Sequence, residues 1–211
     1  MLNSLHLFFK KYAPLILVVF HLVGIALLGG PWRAQLVVLT PLNLLLIGGL
    51  YLNASSRPFP NLWIYALPAL LGFVIEVIGT NTGFPFGAYN YSGILGPRIL
   101  STPLMLGLLW WVLVRSWFDL SRNITSHLWL RSLITGLGMV SMDVLIEPVA
   151  IELNFWRWES VEVPIENYIA WLVLSTLFAR ITAKGDAVNP LSKWVVPVLT
   201  CFFYVLCILY S

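Results

Sequence analysis

The sequence predicts an all-α fold: a polytopic transmembrane helical bundle of about seven spans, N-terminus in the cytoplasm and C-terminus outside. Three observations predict it. Of 211 residues, 59% are hydrophobic and 10% charged, with a mean hydropathy of +0.88. A soluble domain carries roughly 25% charged residues, and so few charges do not cover an aqueous surface. Apolar stretches near the ~20 residues that a bilayer-crossing helix needs recur along the chain. The basic residues fall unevenly between alternate connections.

The stretches run over 13–30, 34–52, 62–80, 100–118, 130–150, 165–182 and 193–210. The first follows the Lys10 and Lys11 pair and shows no small-residue cleavage site, so it reads as a retained helix. Pro14, Pro41, Pro68, Pro103 and Pro197 are expected near span ends or in first turns, where a missing N–H costs least. Pro148 comes close to the end of its span. The connections are short and polar, without repeats or low-complexity tracts, so residues 1–211 read as a single integral membrane domain. Cys201 and Cys207, six apart in the last span, point to different helix faces and read as packing residues rather than a disulfide.

Charge sets the orientation. Seven spans place Lys10, Lys11, Arg57, Arg115, Arg122, Arg131, Arg180, Lys184 and Lys193 on one side, and Arg33, Arg98 and Arg157 on the other. Nine against three puts the first side in the cytoplasm. The acidic Glu152, Glu159 and Glu162 then lie outside. The net charge of +3, with a pI near 9.0, is too spread to mark a nucleic-acid surface. The membrane is expected to be the bacterial inner membrane, with its lipids as partners; the oligomeric state stays open.

Three acids fall in the interior of the spans: Glu76, Asp143 and Glu147. Asp143 and Glu147 are four apart and share a helix face. Glu76 and Glu147 each sit about one turn from the outer end of an outward-running span, with Asp143 one turn deeper, so the three are positioned to meet. No basic residue is expected at that depth. A carboxyl out of water and without a cation tends to hold its proton, which makes it a general acid for a poorly basic substrate. The competing reading is that the three fix helix packing through hydroxyls and backbone.

No metal is expected. The D-x-x-x-E spacing can hold Mg²⁺ against a diphosphate, but that chemistry wants two such pairs, and here there is one, facing outward. His6, His21 and His127 are too scattered for zinc. His21 reads as a buried structural histidine rather than a proton relay. No Lys lies within a span interior for Schiff-base chemistry.

Past Glu76 come Phe84, Phe86, Tyr89 and Tyr91, and past Glu147 comes "NFWRW" with Trp156 and Trp158. Interfacial belts account for Trp32, Trp63, Trp117 and Trp194. The denser group beside the acids has a chemical use, since π-faces stabilise a carbocation. Gly79, Gly83 and Gly87 let the loop fold tightly over the site.

The stretches "EVIGTNTGFPFGAYNY" at 76–91, "DVLIEPVA" at 143–150, "WRW" at 156–158 and "VPIENYIAW" at 163–171 carry a resemblance. They resemble the polytopic membrane carotenoid hydratases, which include carotenoid 1,2-hydratases and archaeal bisanhydrobacterioruberin hydratases. The likeness covers roughly residues 60–180. It implies a cofactor-independent hydro-lyase of carotenoid biosynthesis, with an acyclic carotenoid end group and water as partners. A carboxyl would protonate C2 of the terminal alkene, and water would capture the tertiary cation at C1. Glu76, Asp143 and Glu147 would share proton donation and water activation, without the donor being distinguished. Asn81, Tyr89, Asn90 and Tyr91 would position water, and Phe84, Phe86, Trp156 and Trp158 would line the end-group pocket. The alternatives are a lycopene-type cyclase using the same protonation, and a non-enzymatic proton-coupled carrier or lipid-binding protein. A carrier should show inverted repeats or broken helices, and neither is visible.

Overall fold

The computed structural model of the chain describes residues 2–55, 62–183 and 188–211, without the side chains of 2–6 and 62. Arg57 and Lys184 of the charge count, and the side chain of His6, therefore lie outside the described residues. The elements run α1 (Leu2–Leu28), α2 (Arg33–Leu36), a 3₁₀ turn (Val37–Leu39), α3 (Thr40–Ala54), α4 (Leu62–Thr82), β1 (Tyr89–Tyr91), β2 (Arg98–Ile99) and β3 (Thr102–Pro103). They continue with α5 (Met105–Leu120), a 3₁₀ turn (Ser121–Asn123), α6 (Leu128–Glu152), β4 (Trp156–Trp158), α7 (Ile165–Thr182) and α8 (Ser192–Tyr210).

The protein is an all-α helical membrane protein, and among the described residues strands occur only in two short loop ribbons. Among the described residues, five helical segments are long and apolar enough to cross a bilayer: Leu7–Leu28, Arg33–Ala54, Trp63–Thr82, Leu128–Glu152 and Ser192–Tyr210. The other two expected segments form α5, of 16 residues, and α7, of 18.

Burial explains why α5 departs from the pattern. It packs against α3, α4, α6, α7 and α8, and so forms the centre of the bundle. Its Arg115 and Asp119 are buried in protein rather than facing lipid. Leucines and valines are exposed instead on the outer helices, as at Leu15, Val19, Leu45, Leu70 and Val74. That inverted surface suits a hydrocarbon solvent. Small residues set the close crossings: a Cβ at Gly107 would meet Ala69 O of α4 at 2.7 Å, and one at Gly136 would meet Leu172 O of α7 at 2.7 Å.

Several expectations shift. The first helix starts at Leu2 rather than 13, which places Pro14 in its interior. The fourth starts at Met105 rather than 100, because Leu100 and Ser101 take positive φ and turn the chain between β2 and β3. Arg115 and Arg131, counted among the cytoplasmic-side charges, are buried: Arg131 Nη2 donates to Phe118 O at 3.0 Å, and its guanidinium lies 4.0 Å from the Phe118 ring centroid. Trp32, Trp63 and Trp194 are exposed, but Trp117 is half-buried against Gly138 of α6. Cys201 and Cys207 are free. His21 is buried against Leu17 O at 2.7 Å and the Phe202 ring.

A polar latch, not foreseen in the sequence, closes one end of the bundle. Asp119 Oδ2 accepts from Asn189 N at 2.9 Å and from the Ser192 hydroxyl at 2.7 Å. Asn189 Nδ2 in turn donates to Tyr51 O at 2.6 Å and to the Tyr65 hydroxyl at 3.3 Å. The start of α8 is thereby tied to α3, α4 and α5. At the other end Arg33 and Glu152 form an ion pair at 2.7 Å.

Candidate active site

The predicted acids meet. Glu76 of α4 and Asp143 and Glu147 of α6 line one pocket, together with Phe86, Tyr89, Tyr91, Leu106, Leu109, Trp110, Ile146, Trp156, Trp158, Asn167 and Trp171. All three acids are buried. Helix periodicity puts Asp143 and Glu147 on one face, and the packing of α4 and α6 around α5 and α7 brings Glu76 to them.

The pocket is covered by a ribbon. β1 and β4 pair antiparallel, with Tyr89 opposite Trp158, Asn90 opposite Arg157 and Tyr91 opposite Trp156. Alternation along each strand sends the tyrosines and tryptophans to the pocket face and Asn90 and Arg157 to the exposed face. Gly87, at φ +104°, turns the chain into β1, and a Cβ there would strike Pro164 at 2.7 Å. A Cβ at Gly79 would meet the Phe86 ring at 2.5 Å and the Tyr89 hydroxyl at 2.8 Å, so glycine lets the ribbon seat on α4.

Each acid receives hydrogen bonds from neutral donors. Tyr89 and Tyr91 hydroxyls donate to Glu76 Oε2 at 2.8 and 2.7 Å, and Trp110 Nε1 donates to Oε1 at 2.9 Å. Burial, followed by the Glu76 carboxyl, raises the pKa of both phenols, so they keep their protons and serve as donors. The Trp156 and Trp158 indoles donate to Glu147 Oε2 at 3.1 and 2.9 Å. Asn167 Nδ2 donates to Asp143 Oδ2 at 2.6 Å. Among the described residues the salt bridges are Arg33–Glu152 and Arg115–Asp119, neither of which involves these three acids. The described residues also hold no group of three or more His, Cys, Asp or Glu suited to a metal.

The other expected site residues divide between the pocket and its surroundings. Phe86, Tyr89, Tyr91, Trp156 and Trp158 line the pocket. Asn81 is exposed and donates to Val77 O at 2.7 Å and Leu100 O at 3.0 Å, which ties the β2–β3 turn to α4. Phe84 is 72% exposed and Asn90 faces outward, so neither reaches the pocket. Trp110, stacked on Trp171 at 4.6 Å, and Asn167 are site residues that sequence reasoning missed. A tryptophan at mid-span, away from an interfacial belt, was the available signal for the first; the single amide inside "PIENYIAW" was the signal for the second.

The profile of the carotenoid biosynthesis protein family matches residues 38–210, which spans every helix of the pocket. The chain belongs to that family. The chain is 29% identical over 140 residues to a bisanhydrobacterioruberin hydratase from Haloarcula japonica. The match covers 63% of this chain and 47% of that protein, so the chain spans about half the length of the relative it matches. No solved structure matches the chain.

Proposed function

We propose that the chain is a carotenoid hydratase that adds water to the terminal C1=C2 double bond of an acyclic carotenoid end group. One observation carries this reading: three buried carboxyls converge in a single aromatic pocket, with neutral donors around them and no salt bridge to any of the three among the described residues. The hydratase relative and the family's place in carotenoid biosynthesis support it.

The reaction needs only the alkene and water. A carboxyl O–H bond breaks as its proton forms the C2–H bond with the π electrons, leaving a tertiary cation at C1. The indole and phenol faces of Trp110, Trp158 and Tyr91 flank the pocket and stabilise that cation. A water oxygen bonds to C1, and its surplus proton goes to a carboxylate. The product is a tertiary alcohol, and the acids end as they began. The substrate is a membrane solute and enters from the lipid.

The same reading places seven spans in a bacterial inner membrane, N-terminus inside and C-terminus outside. α5 crosses at the centre of the bundle, where Arg115 and Asp119 meet protein, and α7 crosses beside α6 with Ile169, Val173 and Leu177 exposed. The Arg33–Glu152 pair supports a shared end for two residues both assigned to the outer side.

The origin of the added atoms tests the chemistry. Purified protein with an acyclic carotenoid, run anaerobically in D₂O enriched in ¹⁸O, is expected to yield product with one deuterium at C2 and one ¹⁸O at C1. Deuterium without oxygen would identify a cyclase. Oxygen taken from O₂ would remove the hydratase reading.

A further inference from the structure

The three carboxyls are not equivalent as hydrogen-bonding groups. Glu76 accepts at both oxygens, one from an indole and the other from two phenols. Glu147 accepts two indole N–H groups at Oε2. An indole only donates, so the Trp110 N–H on Oε1 of Glu76 and both indoles on Oε2 of Glu147 require lone pairs there. Donors on both oxygens of Glu76, and two on Glu147 against one on Asp143, favour the carboxylate form at the two glutamates. Asp143 differs: it is 1% exposed, receives one amide N–H at Oδ2, and its Oδ1 is buried without a partner among the described residues.

We propose that Asp143 is the proton donor of the hydration, with the transferable proton on Oδ1, and that Asn167 is the residue that positions it. A neutral carboxyl has one accepting carbonyl oxygen and one hydroxyl. The Asn167 amide, donating at 2.6 Å, marks Oδ2 as the carbonyl oxygen and leaves the hydroxyl at Oδ1. A buried hydroxyl without a protein acceptor is available to an alkene, which is too weak an acceptor to compete with a carbonyl or a carboxylate. Asp143 and Asn167 both line the pocket. The Oδ1–H bond breaks, the C2–H bond forms, and Asp143 becomes the carboxylate. Water bonds to C1 and gives its proton to Glu147, one helical turn away, from which it returns to Asp143. This division of labour rests on the hydratase reading and adds to it the identity of the donor.

The test uses the full chain in lipid nanodiscs with an acyclic carotenoid carrying unsubstituted C1=C2 ends. Asp143→Asn is expected to lower the single-turnover rate by about 10²- to 10⁴-fold, the usual range for a general acid, while carotenoid binding persists. Asn167→Ala is expected to lower kcat by about 10-fold or more, within the range seen for proton-transfer groups, with KM nearly unchanged and a larger rate ratio between H₂O and D₂O. A purely structural contact would leave that isotope ratio where it was. Should Asp143→Asn not fold, Asn167→Ala carries the decision through the kcat and isotope readouts. An active wild type whose Asp143→Asn variant keeps its rate overturns the donor assignment and leaves the hydratase reading standing. Asn167→Ala with unchanged or raised kcat overturns the positioning role. A wild type that adds no water removes both.

Discussion

Tyr89 and Trp158 face each other across the β1–β4 ribbon, ring centroids 5.0 Å apart, yet donate to different acids. The tyrosine hydroxyl reaches Glu76 at 2.8 Å, and the indole reaches Glu147 at 2.9 Å. One cross-strand pair therefore orients carboxyls carried by two different helices, α4 and α6. The ribbon is more than a cover, because its register decides which acid each ring serves.

Tyr89→Phe and Trp158→Phe should each lower turnover by about 10- to 100-fold, the scale of a lost hydrogen bond to a charged group. Helical content should not change. The phenylalanines keep most of the aromatic surface, so the loss would report the donor rather than the packing. The check is product yield per folded protein, with circular dichroism as control. Full activity in both variants would assign the ribbon to shape alone.

Asp119 predicts a stability effect with no catalytic counterpart. Its carboxylate binds Asn189 N and the Ser192 hydroxyl, with Arg115 at a longer 3.8 Å. Asp119→Ala should destabilise the bundle by about 3–5 kcal/mol, the range for removing one partner from a buried charged group. Asp119→Asn should cost less, since one oxygen still accepts. Thermal unfolding in detergent measures both. Variants that retain wild-type stability would show that the latch does not hold α8 to the bundle.

Orientation is testable by accessibility. Ser126, in the exposed connection between α5 and α6, should be cytoplasmic, and Ser160, past β4, should be outside. Single cysteines at these positions, in a background lacking Cys201 and Cys207, would be probed with an impermeant maleimide on intact cells. Label is expected at 160 and not at 126. The reverse would invert the topology and move the pocket to the cytoplasmic half.

The positions of the acids were legible along the chain. A helix repeats every 3.6 residues, so the spacing of Asp143 and Glu147 sets a shared face without knowledge of any neighbour. Hydropathy likewise located the helical segments, because a lipid solvent writes its requirement into each ~20-residue window separately. The donors to those acids depend on contacts that no local window contains. Residues 89–91 and 156–158 are too short to declare themselves as strands, and they pair only because packing on α5 and α7 brings the ends of α4 and α6 to one end of the bundle. That pairing turns Asn90 out and Tyr89 and Tyr91 in. Phe84 and Phe86 look alike in sequence, but one is 72% and the other 1% exposed, as the turn between α4 and β1 dictates. Trp110 and Asn167 reach the site only through the packing of α5 and α7. Asp119 escaped notice because a charge at a helix end reads as interfacial until the helix proves to be the buried centre of its bundle. Local periodicity is a property of the chain, whereas the partner of a buried polar group is chosen by packing across it.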